Sequence, residues 1–338
     1  MKKDNKKVIY WLLTGCALIF IMVVVGGITR LTHSGLSISN YKLISGTIPP
    51  MNDAEWEAAF DLYKQYPEYQ KLNNQFSIQD FKDIYFWEWI HRVIGRFIGL
   101  VFLLPFIYFL ITKQLTKPTI KKALLLLGLG SLQGFLGWYM VKSGLVDNPD
   151  VSHYRLAAHL TTAFITFAAT FWVALDLMFP SRKEINMALR NLIRWSLAVL
   201  LLQIIYGGFV AGLDAGFIHN HWPMMSEGKF IHDTVYTEQI PVYKNFIEGK
   251  SGVQFVHRIL AFIVVGFIVS IFIKSKKRSL TLNQKKGVNY LLIMVGIQFL
   301  LGVFTILLQV PVWLGVVHQV GAFFLLSAMT FTLHRFSK

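Results

Sequence analysis

Residues 88–111 read EWIHRVIGRFIGLVFLLPFIYFLI, and residues 254–273 read QFVHRILAFIVVGFIVSIFI. Each opens on a polar residue, reaches a His-Arg pair three positions on, and continues as a mostly apolar run. About 20 apolar residues in a helix cross a bilayer core, so both stretches read as membrane spans. Working outward gives eight spans, near 9–28, 85–112, 121–142, 155–178, 189–212, 252–274, 287–309 and 312–335. The composition agrees: 54% of the 338 residues are hydrophobic and 15% are charged, against about 25% charged in a soluble domain. This excludes a disordered chain and a disulfide scaffold and argues against a soluble enzyme. The expected fold class is an all-α integral membrane protein.

A formal net charge of +15, from 33 Lys+Arg against 18 Asp+Glu, would on a soluble protein point to nucleic acid. Here the basic residues sit in short segments between apolar runs, so they report topology, and the expected partner is the lipid bilayer rather than nucleic acid. Lys2, Lys3, Lys6 and Lys7 precede the first span; Lys113, Lys117, Lys121 and Lys122 follow the second. Arg182, Lys183 and Arg190 follow the fourth, and Lys274, Lys276, Lys277, Arg278, Lys285 and Lys286 follow the sixth. Cytoplasmic loops carry the Lys/Arg excess, which places both termini inside. Segments 29–84, 143–154 and 213–251 then lie outside, and the first carries an amphipathic helix near Asp53–Tyr66, between Pro49-Pro50 and Pro67. MKKDNKK looks like a signal-peptide n-region, but the apolar stretch after it is long and no A-x-A site follows, so it reads as a retained span. The single cysteine, Cys16, allows no disulfide within the chain and no cysteine-based metal site.

The two halves resemble each other. Gly26-Gly27 then Gly35 match Gly207-Gly208 then Gly216; His91-Arg92 match His257-Arg258; Gln133 matches Gln298; His159 matches His318. Four ordered landmarks favour a duplication over chance similarity of apolar helices. The expectation is two four-helix bundles, 1–180 and 181–338, related by a pseudo-twofold along the membrane normal.

Ionisable residues inside spans are rare and usually functional. His91, His159, His257 and His318 fall four to seven residues after the outer starts of four spans. At about 1.5 Å rise per residue they form one layer roughly 6–10 Å below the outer surface. Two histidines per half is the donor set of six-coordinate haem iron. Four residues after each stands a small residue, Gly95, Ala163, Ala261 and Ala322, on the same helix face, where bulk would meet a porphyrin plane. Small residues also serve plain helix packing; four together favour haem clearance. A proton relay would more often carry carboxylates at several depths, and this layer has one, Glu88, three residues before His91. Near its helix start, Glu88 reads equally as an interfacial surface carboxylate or as a base or charge stabiliser over a haem edge; its counterpart is the uncharged Gln254, so the two pockets differ chemically, which suits one that reacts and one that only carries electrons. Arg92, Arg96 and Arg258 face the outer half, where propionate binding and snorkelling to headgroups both remain open. His33, His153, His219, His221, His232 and His334 lie in loops or at ends and are left unassigned.

These residues resemble haem A synthases. GGITRLTHSGLSISNYKLISGTIPPMNDAEWEAAFDLYKQYPEY at 26–69 is similar to the family's first outer loop. EWIHRVIGR at 88–96 carries its Glu-x-x-His-Arg core, and GGFVAGLDAG at 207–216 with Trp222-Pro223-Met224 is similar to its third outer region. The resemblance covers nearly the whole chain. Lacking outer-loop cysteine pairs, the chain resembles the branch of mitochondria and many Gram-negative bacteria, which counts against a thiol-based role in electron delivery.

The resemblance implies oxidation of a ring methyl of haem O to a formyl group, giving haem A for terminal oxidases. It implies His91 and His159 on the substrate haem O, His257 and His318 on a haem b, and Glu88 beside the reacting methyl as a base or charge stabiliser. It implies haem O synthase and cytochrome oxidase assembly factors as partners, in a bacterial cytoplasmic membrane, since the N-terminus leaves no room for a transit peptide. The oligomeric state is left open, a homo-oligomer included. The rival readings are a bis-histidine cytochrome b that only transfers electrons and a haem-free transporter.

Overall fold

The computed structural model describes residues 5–38, 45–144, 151–179 and 186–337. Eleven α-helices are found among them: α1 Lys6–Leu31, α2 Asp53–Tyr63, α3 Pro67–Lys71, α4 Ile78–Ile111, α5 Lys117–Gly144, α6 His153–Met178, α7 Met187–Gly212, α8 Thr234–Thr237, α9 Lys250–Lys276, α10 Leu282–Leu307 and α11 Val312–Ser337. Eight of these, all but α2, α3 and α8, are long and apolar enough to cross a membrane. The chain is a multi-pass, all-helical membrane protein.

Helix starts follow capping chemistry more closely than hydropathy. α4 begins at Ile78 because Ser77 and Asp80 form a reciprocal capping box, about two turns before the apolar run expected from residue 85. Those extra turns are polar on one side and bury Phe81 and Ile84 on the other, against Phe60, Tyr63 and Trp56 of α2. α10 likewise starts at Leu282 behind a Thr281–Gln284 box rather than at 287. The amphipathic helix expected over Asp53–Tyr66 ends at Tyr63; Asn52 caps it by accepting from Glu55 N, and Pro67 opens the separate α3.

The spans close into two rings. In the first, α1 packs on α4 and α6, and α5 lies between α4 and α6; in the second, α7 packs on α9 and α11, and α10 lies between α9 and α11. The rings meet along α1 with α11, α6 with α7, and α6 with α11. The central apolar core runs through that junction, with Cys16 and Val23 from α1, Phe164 and Phe167 from α6, Ile193 from α7 and Phe323 from α11. Lipid tails are as apolar as these side chains, so close backbone approach takes over from the hydrophobic effect. A β-carbon on Gly208 of α7 would stand 2.8 Å from Ala157 Cα of α6.

Polar clamps fix the junction at both faces. At one end, Arg30 donates to Ala211 O at 2.7 Å and pairs with Asp214 at 3.0 Å. At the other end, Asp176 of α6 accepts from Lys122 of α5 and from His334 of α11, the latter at 3.0 Å.

Candidate functional site

The four span histidines sit on α4, α6, α9 and α11. His159, His257 and His318 lie about two turns after their helix starts, as expected. His91 lies more than three turns after Ile78, because α4 extends above the span to pack on α2.

Each ring rests on a glycine of the preceding span. A β-carbon on Gly26 would stand 3.1 Å from His91 Cε1, on Gly137 3.0 Å from His159, on Gly207 3.3 Å from His257 and on Gly302 3.0 Å from His318. Any larger residue would displace the imidazole. One turn before three of these glycines stands a glutamine whose amide meets the ring: Gln133 on His159 Nε2 at 3.3 Å, Gln203 on His257 Nε2 at 3.3 Å, and Gln298 on His318 Nδ1 at 3.2 Å. The fourth such position is Met22, whose terminal methyl lies 3.1 Å from the β-carbon position of Gly95. The rings are half-buried, yet Nδ1 of His91, His159 and His257 is shielded from solvent with no hydrogen-bond partner.

That donor set suits haem. His91 and His159 stand on helices of one ring and His257 and His318 on helices of the other, so the imidazoles come in two pairs. A porphyrin leaves two axial positions on iron, and neutral imidazole nitrogens fill them. Among the described residues, no group of three or more His, Cys, Asp or Glu side chains is placed to hold a bare metal ion. Of the four expected clearance residues, Gly95 faces Met22, Ala322 packs at the edge of the central core, and Ala163 and Ala261 are half-buried.

Glu88 is 3% exposed. One oxygen accepts from Ser37 Oγ at 2.7 Å and from Ile38 N at 2.8 Å; the other pairs with Arg92, which also donates to Ile38 O at 3.0 Å. Gln254, 1% exposed, donates to Ala215 O at 2.9 Å. Arg258 donates to the carbonyls of His219, His221 and Met224. The structure thus ties Arg92 and Arg258, for which propionate binding and snorkelling both stand open in the sequence, to backbone carbonyls of the connecting loops. Arg92 and Arg96 also line a cavity of about 460 Å³ with Ser37, Tyr85 and Pro49.

The loop histidines make local contacts. His33 lies 3.4 Å from Arg30, and His153 Nε2 meets Ile247 O at 2.9 Å. His219 meets Ser251 Oγ at 3.0 Å and packs on His232, ring centroids 4.5 Å apart. Burial, with the neighbouring His232 and Arg258, pulls His219 down to about 4. His221 is exposed, and His334 serves the Asp176 clamp. Sequence reading missed the glutamine–imidazole contacts. Gln133 and Gln298 stand out in sequence only as repeat landmarks, and Gln203 and Met22 not at all; the signal is Gln-x-x-x-Gly on the span before three of the four histidines, with Met22-x-x-x-Gly26 before His91.

Fold and site together define a polytopic helical membrane protein with four glycine-backed imidazoles, two in each ring of helices. The family model described as "Cytochrome oxidase assembly protein", COX15-CtaA, matches residues 9–330, and the chain belongs to that family. It is 64% identical over 342 residues, covering 100% of both chains, to a Flavobacterium johnsoniae protein named "Heme A synthase". A Flavobacterium psychrophilum protein of the same name is 62% identical, over 99% of this chain and 100% of its own. One from Nitrosospira multiformis is 44% identical, over 98% and 93%.

Proposed function

We propose that the chain is an oxidoreductase that makes haem A, oxidising a ring methyl of haem O to a formyl group. The single observation that carries this is the set of four glycine-backed span histidines, two in each ring of helices, in a chain 64% identical over its full length to a protein named for that activity. On this reading His91 and His159 hold the substrate haem O in the half formed by 1–180. His257 and His318 hold a resident haem b, which supplies one-electron chemistry, in the half formed by 181–338. The equivalent helix contacts in the two rings support a duplication with a pseudo-twofold axis. So does the left-handed backbone at His33 (φ 50) and Asp214 (φ 52), residues that stand at matching places after Gly26-Gly27 and Gly207-Gly208.

Glu88 stands one turn from His91, held by Ser37, Ile38 and Arg92. A fixed carboxylate there stabilises positive charge developing at the methyl carbon or accepts its proton. Gly95, Ala163, Ala261 and Ala322 leave room for the rings, and Arg92 and Arg258 stand near enough to the outer face to reach propionates. The apolar tail of haem O fits a site open to the bilayer. The outward-facing site lies in a bacterial cytoplasmic membrane with both termini inside, and haem O synthase and oxidase assembly factors are the expected partners.

The test is expression with a haem O supply, followed by extraction and mass analysis of the pigment. Haem A formed in proportion to active protein is the expected result. Haem b alone would instead make the chain an electron carrier, a role that four glycine-backed histidines also suit. A haem-free protein would sink both readings.

A further inference from the structure

We propose that Gln133, Gln203 and Gln298 hold the imidazoles of His159, His257 and His318 as iron ligands, and that Met22, where such a glutamine is missing, makes His91 the ligand that lets go. The proposal rests on the haem reading above and says which of the four bonds opens for substrate and product.

Glutamine and glycine at i and i+4 share a helix face. On α5, α7 and α10 the glycine therefore backs the ring while the glutamine, one turn along, reaches one of its nitrogens. In each of the three the amide nitrogen faces the ring and the amide oxygen is buried with no partner. Turned end for end, the amide accepts the ring N–H instead. That tautomer leaves the lone pair free on Nδ1 of His159 and His257, which is buried with no other partner, and on Nε2 of His318, as a metal ligand requires. Metal-bound imidazoles almost always donate their second N–H to such an acceptor, which fixes the tautomer and raises basicity.

α1 repeats the pattern with one change. Gly26 backs His91, and Met22 occupies the glutamine position. A thioether is at best a weak acceptor. Its methyl lies against Gly95 on the histidine's own helix, and an unbranched Met side chain adapts readily to what packs on it. His91 therefore carries no fixed tautomer and gains no basicity from this position. Losing such a partner typically weakens metal binding 10–100-fold. A resident haem needs two firm ligands, and His257 and His318 each have a glutamine. A substrate that arrives as haem O and departs as product needs one ligand that yields.

The experiment uses the full-length protein in lipid nanodiscs. It follows haem release to excess apomyoglobin, with haem b and haem O separated after extraction. Gln203→Met should speed haem b release about 10–100-fold and shift its midpoint potential positive, because the ring loses an acceptor and becomes a poorer donor. Met22→Gln should slow release of added haem O by a similar factor. Met22→Leu, apolar but unable to accept a ring N–H, should release haem O as the unaltered chain does. Unchanged release and potential in Gln203→Met, or slowing by Met22→Leu equal to that by Met22→Gln, would overturn the proposal. His257→Ala separates the two levels. If it keeps its haem b, the haem reading itself falls; if it loses haem b while Gln203→Met behaves as the unaltered chain, only the glutamine assignment falls.

Discussion

Replacing Glu88 by Gln tests whether this carboxylate is chemistry or carpentry. The structure gives it two donors from the outer loop, Ser37 Oγ at 2.7 Å and Ile38 N at 2.8 Å, and a charge partner in Arg92. Hydrogen bonds to a charged group contribute about 1.5–3 kcal/mol each, and removing one partner of a buried ion pair costs about 3–5 kcal/mol. Gln keeps one acceptor oxygen for the loop but removes the carboxylate charge that pairs with Arg92. A net cost near 3 kcal/mol is expected, about a hundredfold in loop opening. Hydrogen exchange of the peptide containing Ile38 reads this directly. The second pocket stands on other residues, so haem b should stay bound. Haem A formation should fall steeply. The double variant Glu88→Gln/Arg92→Gln removes both charges of the pair and should restore most loop protection. If Glu88 acts on the methyl, the double variant still makes no haem A; recovery of haem A together with the loop would leave Glu88 a positioning residue only. Unchanged exchange in the single variant would refute the energetics, and normal haem A formation would refute any role in the reaction.

Gly302→Leu should insert normally yet lose haem b, since a β-carbon there already approaches His318 at 3.0 Å and overpacking costs about 1–3 kcal/mol. Gly266→Leu, with nothing within 4 Å, should keep haem, and equal haem content in the two would refute the cradle. Burial pushes Glu68 up to about 8, against the hydrogen bond from Tyr63 at 3.0 Å. Its folded pKa therefore lies above the unfolded value. The cap built by α2 and α3 is most stable below about pH 4.5, loses several kcal/mol as pH rises toward 8, and levels off beyond. Glu68→Gln should flatten proteolytic sensitivity of residues 53–71 across that range, and a wild-type pH profile in the variant would refute this.

The spans, their order and the four histidines were legible because hydropathy and rare intramembrane imidazoles are strong local signals. The early start of α4 was not. Its first turns carry Gln79, Asp80, Lys82 and Asp83, and only the capping box and burial of Phe81 against Tyr63 reveal a helix there. Likewise Arg92 and Arg258 look like anion binders in sequence, because the carbonyls they meet belong to loop backbone that no residue pattern displays. Gln203 was invisible for a related reason: a lone glutamine in an apolar run gains meaning only when a histidine from the next span packs against it.

The same backbone detail changes the meaning of the Glu88/Gln254 difference. In sequence the uncharged member looks like a pocket without chemistry. In the structure each side chain also answers the loop group it meets: Glu88 faces an N–H and an O–H, which need an acceptor, while Gln254 faces the carbonyl of Ala215, which needs a donor. A carboxylate has no proton to give at neutral pH, so Gln254→Glu would leave Ala215 O unsatisfied. The new charge would also draw Arg258, one turn along, away from the carbonyls of His219, His221 and Met224. Each unsatisfied buried group costs about 1–3 kcal/mol, so exchange across 215–224 should rise at least several-fold while His257 and His318 keep their haem. Protection unchanged in Gln254→Glu would mean that loop chemistry does not choose between Glu and Gln here, and the asymmetry would again point to the reaction alone.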